Sequence, residues 1–306
     1  MKKYHYEDFT SGNGIGRVML KEKCIACGSD RRETAFDLGD TRIYRCPSCG
    51  LGVADPIPAR EDLKKRYEAE YYETGYSEGI ERRPSEAAAR LLDVLEKHTG
   101  KGRLLDIGCG AGAYLAAARD RGWEATGVDV SPFAVNFVRE KLGIPVRSGF
   151  LDEAGFEESS FDAAIMVHSL EHQQDPAATL GLTKSLLKPG GVLFVSVPNF
   201  AGVSALRRGS EWEGLQPGFH FYFFTPGSLR GIAARAGFEV LEVSAPVEII
   251  SGASVDAVLG SRAGALARRV ARGLMGSAID RARKRASGPA GGDTITMMAR
   301  RPEGGI

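Results

Sequence analysis

Leu104-Leu105-Asp106-Ile107-Gly108-Cys109-Gly110-Ala111-Gly112 is the stretch that decides the fold. Its first four residues form a short apolar run suited to a strand buried on both faces. Three alternate glycines follow, and then a helical pattern from Tyr114 to Arg121. A turn without side chains lets backbone approach a ligand closely, and the helix N-terminus behind it presents free N–H groups. A second strand, Glu124–Val128, ends at Asp129, placed to accept from a ribose diol. Gly108-x-Gly110-x-x-Ala113 also fits a dinucleotide fingerprint, so these residues alone leave two classes of nucleoside ligand open. Asp106, two residues before the first glycine, adds a carboxylate that can hold a cationic amino-acid group.

The same alternation continues outward. Ser131-Pro132 pairs a capping serine with a first-turn proline, and a weak strand follows at Pro145–Arg147. Asp162–Val167 and Val192–Val197 are apolar strands. Between them, a helix from Pro176 to Leu187 stops at Lys188-Pro189-Gly190-Gly191. A helix from Ser228 to Ala236 leads to strand Phe238–Val243, and Thr294–Met298 reads as a last strand. Upstream, Ala88, Leu91, Leu92 and Leu95 stripe a helix from Ser85 to His98. Strands alternating with helices imply an α/β fold with a parallel sheet covered on both faces.

The N-terminal part reads differently. Cys24-Ile-Ala-Cys27 and Cys46-Pro-Ser-Cys49 are two C-x-x-C pairs with 18 residues between them. That is the spacing of a small zinc ribbon, in which two knuckles close a tetrahedral thiolate site. Gly28 and Gly50 follow the pairs, where such knuckles need positive φ. Four thiolates leave the ion no open position, so Zn²⁺ at Cys24, Cys27, Cys46 and Cys49 is expected to be structural. Cys109 stands apart as a small filler. The expected organisation is a tail and ribbon over 1–54, a tyrosine-rich connector over 55–84, and the α/β domain over 85–306 with a basic helical insert at about 250–290. Tyr71, Tyr72 and Tyr76 of the connector are candidates to cover the cleft, Tyr76 with a catalytic role.

The segments 104–112, Gly127-Val-Asp-Val-Ser131, Ser160-Phe-Asp-Ala-Ala-Ile165, Ser169-Leu-Glu-His172 and Leu187-Lys-Pro-Gly-Gly-Val-Leu193 together resemble the class I S-adenosylmethionine-dependent methyltransferases. The resemblance covers roughly residues 85–245. It implies a Rossmann-like seven-stranded sheet with helices on both faces and an antiparallel last strand. It implies that Asp106, Gly108, Gly110 and Gly112 face the methionine part of S-adenosylmethionine. Asp129 and Val130 would face the ribose, Phe150 and Leu151 the adenine, and His168 the sulfonium. Position 150 is often acidic in that family and is Phe here, which implies stacking in place of a polar contact. Ribbon, connector and α/β domain in this order resemble a bacterial group that includes sugar C-methyltransferases. Those enzymes carry a further C-terminal domain not found in these 306 residues, so their substrate is not carried over.

Methyl transfer to a hydroxyl or an acidic C–H needs an aligned acceptor and a group to take its proton. His220, in Gly218-Phe-His-Phe-Tyr-Phe-Phe-Thr-Pro226, is the first candidate base. A similar segment of the sugar enzymes carries Glu-His, and the glutamate position is Phe219 here. His172 is the rival, with Glu171 as an inward-facing anchor, and Trp212 is a candidate for the acceptor pocket. The expected acceptor is a small molecule: a sugar, glycolipid or natural-product intermediate, nucleotide- or lipid-linked.

Two alternatives come from other classes. One is a nucleic-acid-modifying methyltransferase using the ribbon and the basic insert; the other is a non-catalytic binding module. A net charge of +1 argues against a nucleic-acid partner. An intact glycine turn and the candidate bases argue against the non-catalytic module. Residues 262–285 carry eight basic residues and one acid between apolar positions, which reads first as a solvated helical insert before the last strand and is also suited to an anionic membrane surface or to a phosphorylated or nucleotide-linked acceptor. Hydrophobic residues at 43%, no long apolar run and no signal core lead to an expected cytoplasmic location.

Overall fold

Residues 17–18, 20–69, 86–245 and 292–304 are described by the computed structural model. The chain opens with β1 (Arg17–Val18), β2 (Glu33–Asp37), β3 (Arg42–Arg45), β4 (Gly52–Asp55), β5 (Ile57–Pro58) and helix α1 (Arg60–Ala69). β2, β3 and β4 form an antiparallel meander, and β1 pairs with β5. Each cysteine pair sits in a turn closed by a 2.8 Å bond, Gly28 N–H to Cys24 O and Gly50 N–H to Cys46 O. Both glycines lie in the left-handed region, at φ +79° and +78°, as the knuckle geometry requires.

The remaining elements are α2 (Glu86–Thr99), β6 (Arg103–Ile107), α3 (Ala113–Asp120), β7 (Glu124–Asp129), α4 (Pro132–Phe137), β8 (Val146–Ser148), β9 (Phe161–Val167), α5 (Pro176–Leu186), β10 (Leu187–Pro198), α6 (Val203–Arg208), β11 (Tyr222–Phe223), α7 (Pro226–Arg235), β12 (Glu239–Ser244) and β13 (Thr294–Arg300). Seven strands form one sheet in the order β12-β13-β10-β9-β6-β7-β8. Only β13 runs against its neighbours, antiparallel to both β10 and β12. This is the sheet that the alternating pattern and the family resemblance imply.

Period-two alternation explains the two cores. Leu105, Ile107, Ala164 and Met166 join one cluster, with Leu180 and Leu186 of α5 and Leu229 and Ile232 of α7. Leu104, Ala163 and Ile165 join the other, with Leu91, Leu92 and Leu95 of α2 and Leu115 of α3. Ser131 caps α4 by accepting from Ala134 N–H. Thr225 and Ser228 form a capping box, which starts α7 at Pro226, two residues earlier than the apolar pattern indicates.

The cysteine segment is built into this body. β11 extends its sheet to the order β11-β4-β3-β2, with Tyr222 opposite Val53 and Phe223 opposite Gly52. A Cβ on Gly52 would stand 2.9 Å from the rings and side chains of Phe200 and Phe223, so the close approach needs glycine. Ala26, Cys46, Leu51 and Ile57 share the core of α5 and α7. The stretch 55–84, read as a connector, contains β5 and α1, and its Leu63 is buried. Tyr71, Tyr72, Tyr76 and the basic insert lie outside the described residues. Among the described residues no helix is long and apolar enough to cross a membrane.

Candidate active site

A cleft of about 630 Å³ opens at the carboxyl ends of β6, β7 and β9. There the sheet order reverses direction, which is where open α/β sheets bind ligands. At its floor β6 passes into Gly108, at φ +75°. A Cβ here would stand 2.6 Å from the Cβ of Ser169, whose hydroxyl donates to Ile107 O at 2.6 Å. The turn is thus locked against the loop after β9, and only glycine fits it.

Asp129 ends β7 and is held from both sides. Its Oδ2 accepts from Gly110 N–H and its Oδ1 from Ser131 N–H, each at 2.8 Å. Asp106, Gly108, Gly110, Asp129, Val130, Phe150, Leu151 and His168 all line the cleft, as do His172, His220 and Trp212. Gly112 is not among the lining residues. It is the N-cap of α3, with Val138 2.8 Å from where its Cβ would be, so close packing requires it rather than contact with a ligand.

Asp106 is 2% exposed, and no described group donates a hydrogen bond to it. Burial, with the Asp129 charge as a second cause, pushes its carboxyl up to about 8. Burial also raises Asp129. Two carboxyls that face one cleft and are hard to ionise alone call for a cationic ligand. The Asp129 oxygens accept from backbone N–H groups and keep lone pairs for hydroxyls. A nucleoside bearing an ammonium group and a ribose diol fits this donor set.

Leu63 and Tyr67 of α1 also line the cleft, which the sequence reading missed. Their i, i+4 spacing, one face of a helix, was the available signal. Arg60 pairs with Asp152 at 2.6 Å and Lys64 with Glu153 at 3.1 Å, which ties α1 over the turn after Phe150. The Arg60 guanidinium lies 4.7 Å from the centre of the Phe150 ring and covers one face.

On the opposite wall the His172 and His220 rings meet edge to face, 4.6 Å apart. Each engages a backbone carbonyl through Nδ1: His172 with Phe219 O at 2.9 Å, and His220 with Gly214 O at 2.7 Å. Both rings therefore carry their proton on Nδ1 when neutral, and Nε2 keeps its lone pair. Burial lowers both, His220 to about 4, so both are neutral near pH 7.

Glu171 is 1% exposed and stands behind them rather than in the cleft. Its Oε1 meets His168 Nδ1 at 3.3 Å, and its Oε2 is buried with no hydrogen-bond partner. Burial acts to raise the Glu171 carboxyl, but the bond to His168 and the nearby His172 and His220 outweigh it and hold it low. His168 is raised by the same contact. Tyr76 lies outside the described residues.

The sulfurs of Cys24, Cys27, Cys46 and Cys49 lie within 4.8 Å of one another, with Cys24 Sγ 3.5 Å from Cys49 Sγ and Cys27 Sγ 3.6 Å from Cys46 Sγ. Cys49 O accepts from the Thr225 hydroxyl at 2.8 Å.

Comparison with known proteins agrees with this geometry. Residues 80–243 match a family model described as a methyltransferase domain. The ubiquinone biosynthesis O-methyltransferase of Xanthomonas axonopodis pv. citri is 32% identical over 154 residues, 46% of this chain and 64% of that relative. The chain thus spans under two thirds of that relative's length. A SAM-dependent methyltransferase from Archaeoglobus fulgidus superposes with a TM-score of 0.52 at 22% identity, over 76% of this chain and 100% of that one. Haemonchus contortus phosphoethanolamine N-methyltransferase 2, solved with S-adenosyl-L-methionine, gives 0.54 at 16% identity, over 89% of this chain and 71% of that one. At these identities the two structures speak for the fold alone. With one antiparallel strand in a seven-stranded sheet, a glycine turn facing Asp129, and the family match over residues 80–243, the chain belongs to the class I S-adenosylmethionine-dependent methyltransferases.

Proposed function

We propose that the enzyme methylates a small-molecule acceptor at a carbon or oxygen that must lose a proton, and that His220 takes it. The observation that carries this reading is the anchored, neutral imidazole of His220 in the wall of the cleft, its Nε2 lone pair uncommitted. S-adenosylmethionine, when bound, supplies an electrophilic methyl on a positively charged sulfur. Asp106 receives the ammonium of the methionine part, Asp129 the ribose hydroxyls, and Phe150 the adenine on the ring face away from Arg60. His172 orients the acceptor beside His220, with its own Nδ1 fixed by Phe219 O. Trp212, 7% exposed, closes the acceptor end with an apolar wall.

Cys24, Cys27, Cys46 and Cys49 fit a closed thiolate site for Zn²⁺, and its work is structural. It fixes the sheet whose fourth strand, β11, begins two residues after His220.

The acceptor class is a sugar, glycolipid or natural-product intermediate. The architecture resembles sugar C-methyltransferases, and the curated relatives are named as O-methyltransferases of ubiquinone biosynthesis, so both kinds of acceptor enter the test. Labelled methyl transfer from S-adenosylmethionine to nucleotide-linked keto-sugars and to hydroxylated ubiquinone precursors, with wild type and His220→Gln, tests the reading. Loss of turnover by roughly 10²–10⁴-fold with cofactor affinity kept is the expected outcome. Full turnover in the variant removes His220 as base.

A further inference from the structure

The acceptor wall holds more lone pairs than protons. Glu171 Oε2 is buried and unpartnered, and each imidazole has its Nδ1 on a carbonyl. Glu171, His172 and His220 each offer a ligand atom, and the three atoms lie within 4.8 Å of one another. No described donor satisfies Glu171 Oε2, and a buried carboxylate oxygen without a partner is costly.

Each of the three residues is also held from behind. Glu171 is fixed through Oε1 by His168, His172 by Phe219 O, and His220 by Gly214 O. Outer partners of this kind, orienting one atom of a ligand while the other faces the ion, are what metal-binding histidines and carboxylates require.

The backbone fixes their relative position as well. Phe221 N–H donates to Glu171 O at 2.9 Å, joining the loop after β9 to the loop before β11. His172 and His220 line the cleft, so an ion between them would keep open positions toward it.

We propose that Glu171, His172 and His220 form a divalent cation site at the acceptor end of the cleft. Two imidazoles and one carboxylate suit a first-row ion such as Zn²⁺ or Fe²⁺ rather than Mg²⁺ or Ca²⁺, which prefer all-oxygen shells. An acceptor hydroxyl or carbonyl oxygen in an open position would be polarised and made more acidic. The inference rests on the proposed acceptor reading and deepens it. In the ion-loaded enzyme His220 Nε2 is a ligand, and the acceptor, acidified by the ion, gives its proton to water in the open cleft; in the ion-free enzyme His220 takes that proton itself. It is distinct from the four-cysteine site, which offers only sulfur.

The test uses full-length protein with the cysteine site loaded with Zn²⁺. Co²⁺ is titrated in by calorimetry and visible absorption, with S-adenosylhomocysteine binding measured in parallel. One further equivalent of Co²⁺ is expected, with ligand-field bands and no thiolate charge-transfer band. Glu171→Gln and His220→Gln are expected to weaken it more than about tenfold. His168→Gln, which removes the imidazole that holds Glu171 Oε1, is expected to weaken it roughly tenfold. Absence of the second equivalent in wild type, or unchanged affinity in all three variants, overturns the site. If S-adenosylhomocysteine still binds in that case, the methyltransferase reading stands; if it does not, both fall.

Discussion

The carbonyl of Phe221 accepts the amide proton of Ala54 at 2.9 Å, so the residue after His220 is hydrogen-bonded into the sheet of the cysteine segment. The Phe221 amide, in turn, donates to Glu171 O. A strand near the N-terminus, the loop after β9 and the loop carrying His220 therefore share one backbone hinge point. Damage at the cysteines is expected to reach the chemistry through this route.

Cys49→Ser tests that coupling, because Cys49 O also accepts from Thr225 at the start of α7. Turnover is expected to fall at least about tenfold while S-adenosylhomocysteine affinity changes little, since the glycine turn and Asp129 lie elsewhere. Steady-state kinetics beside equilibrium binding separates the two effects. A variant with equal losses in both would mean that the cysteine segment supports the whole fold and not the acceptor wall in particular.

Gly108→Ala and Gly122→Ala form a second pair. Both glycines have positive φ, +75° and +90°, but a Cβ at 108 meets Ser169 at 2.6 Å while nothing lies within 4 Å at 122. Strain alone is expected at 122, about 1 kcal/mol, and strain with a clash at 108, about 2–3 kcal/mol or more, with loss of cofactor binding. Thermal unfolding with and without S-adenosylhomocysteine reads both. Equal melting shifts in the two variants would contradict the locked turn.

Asp106 gives a proton-linked prediction. Its carboxyl is pushed up to about 8 in the fold, so the native chain holds a proton that the unfolded chain releases above the ordinary carboxylate value. Its contribution to stability is therefore intact in acid and is lost as pH rises toward about 8. A ligand ammonium reverses the preference and favours the ionised carboxylate. Binding of S-adenosylhomocysteine at pH 6 is thus expected to release about one proton. Calorimetry in buffers of different ionisation enthalpy measures it, and Asp106→Asn should abolish the release. Buffer-independent heats in wild type would show that Asp106 is not linked to the ligand.

In the ion-free enzyme His220 sets the acid limb of activity. Its imidazole is lowered to about 4, so it holds its lone pair across the neutral range and loses it only in acid. The rate is expected to stay flat from pH 7 down to about 5 and to fall below that, provided cofactor binding is saturated. A fall centred near 6.5 would indicate an ordinary, solvated histidine.

The large sheet was legible because its strands are buried on both faces. Asp162–Val167 and Leu104–Ile107 read as apolar runs with one aspartate each, and Ser131-Pro132 and Lys188-Pro189-Gly190-Gly191 mark where helices start and stop. The cysteine knuckles were legible from spacing and their trailing glycines. β11 was not, because two residues paired with Gly52 and Val53 leave no periodicity, and its partner lies far away in the chain. α1 was hidden among charged residues, with Leu63 as its one fully buried side chain among the described positions. The meeting of Glu171 and His172 with His220 was equally hidden. It depends on the Phe221–Glu171 backbone bond, which no local spacing encodes.

The most direct measurement of the central claim is calorimetric binding of S-adenosylhomocysteine to wild type and to Asp129→Ala. Asp129 faces the cleft with both oxygens already oriented by Gly110 and Ser131. One-to-one binding, weakened at least about tenfold by loss of the charged acceptor, is expected. No heat with wild type, or an affinity indifferent to Asp129, would contradict the assignment of this cleft to the cofactor.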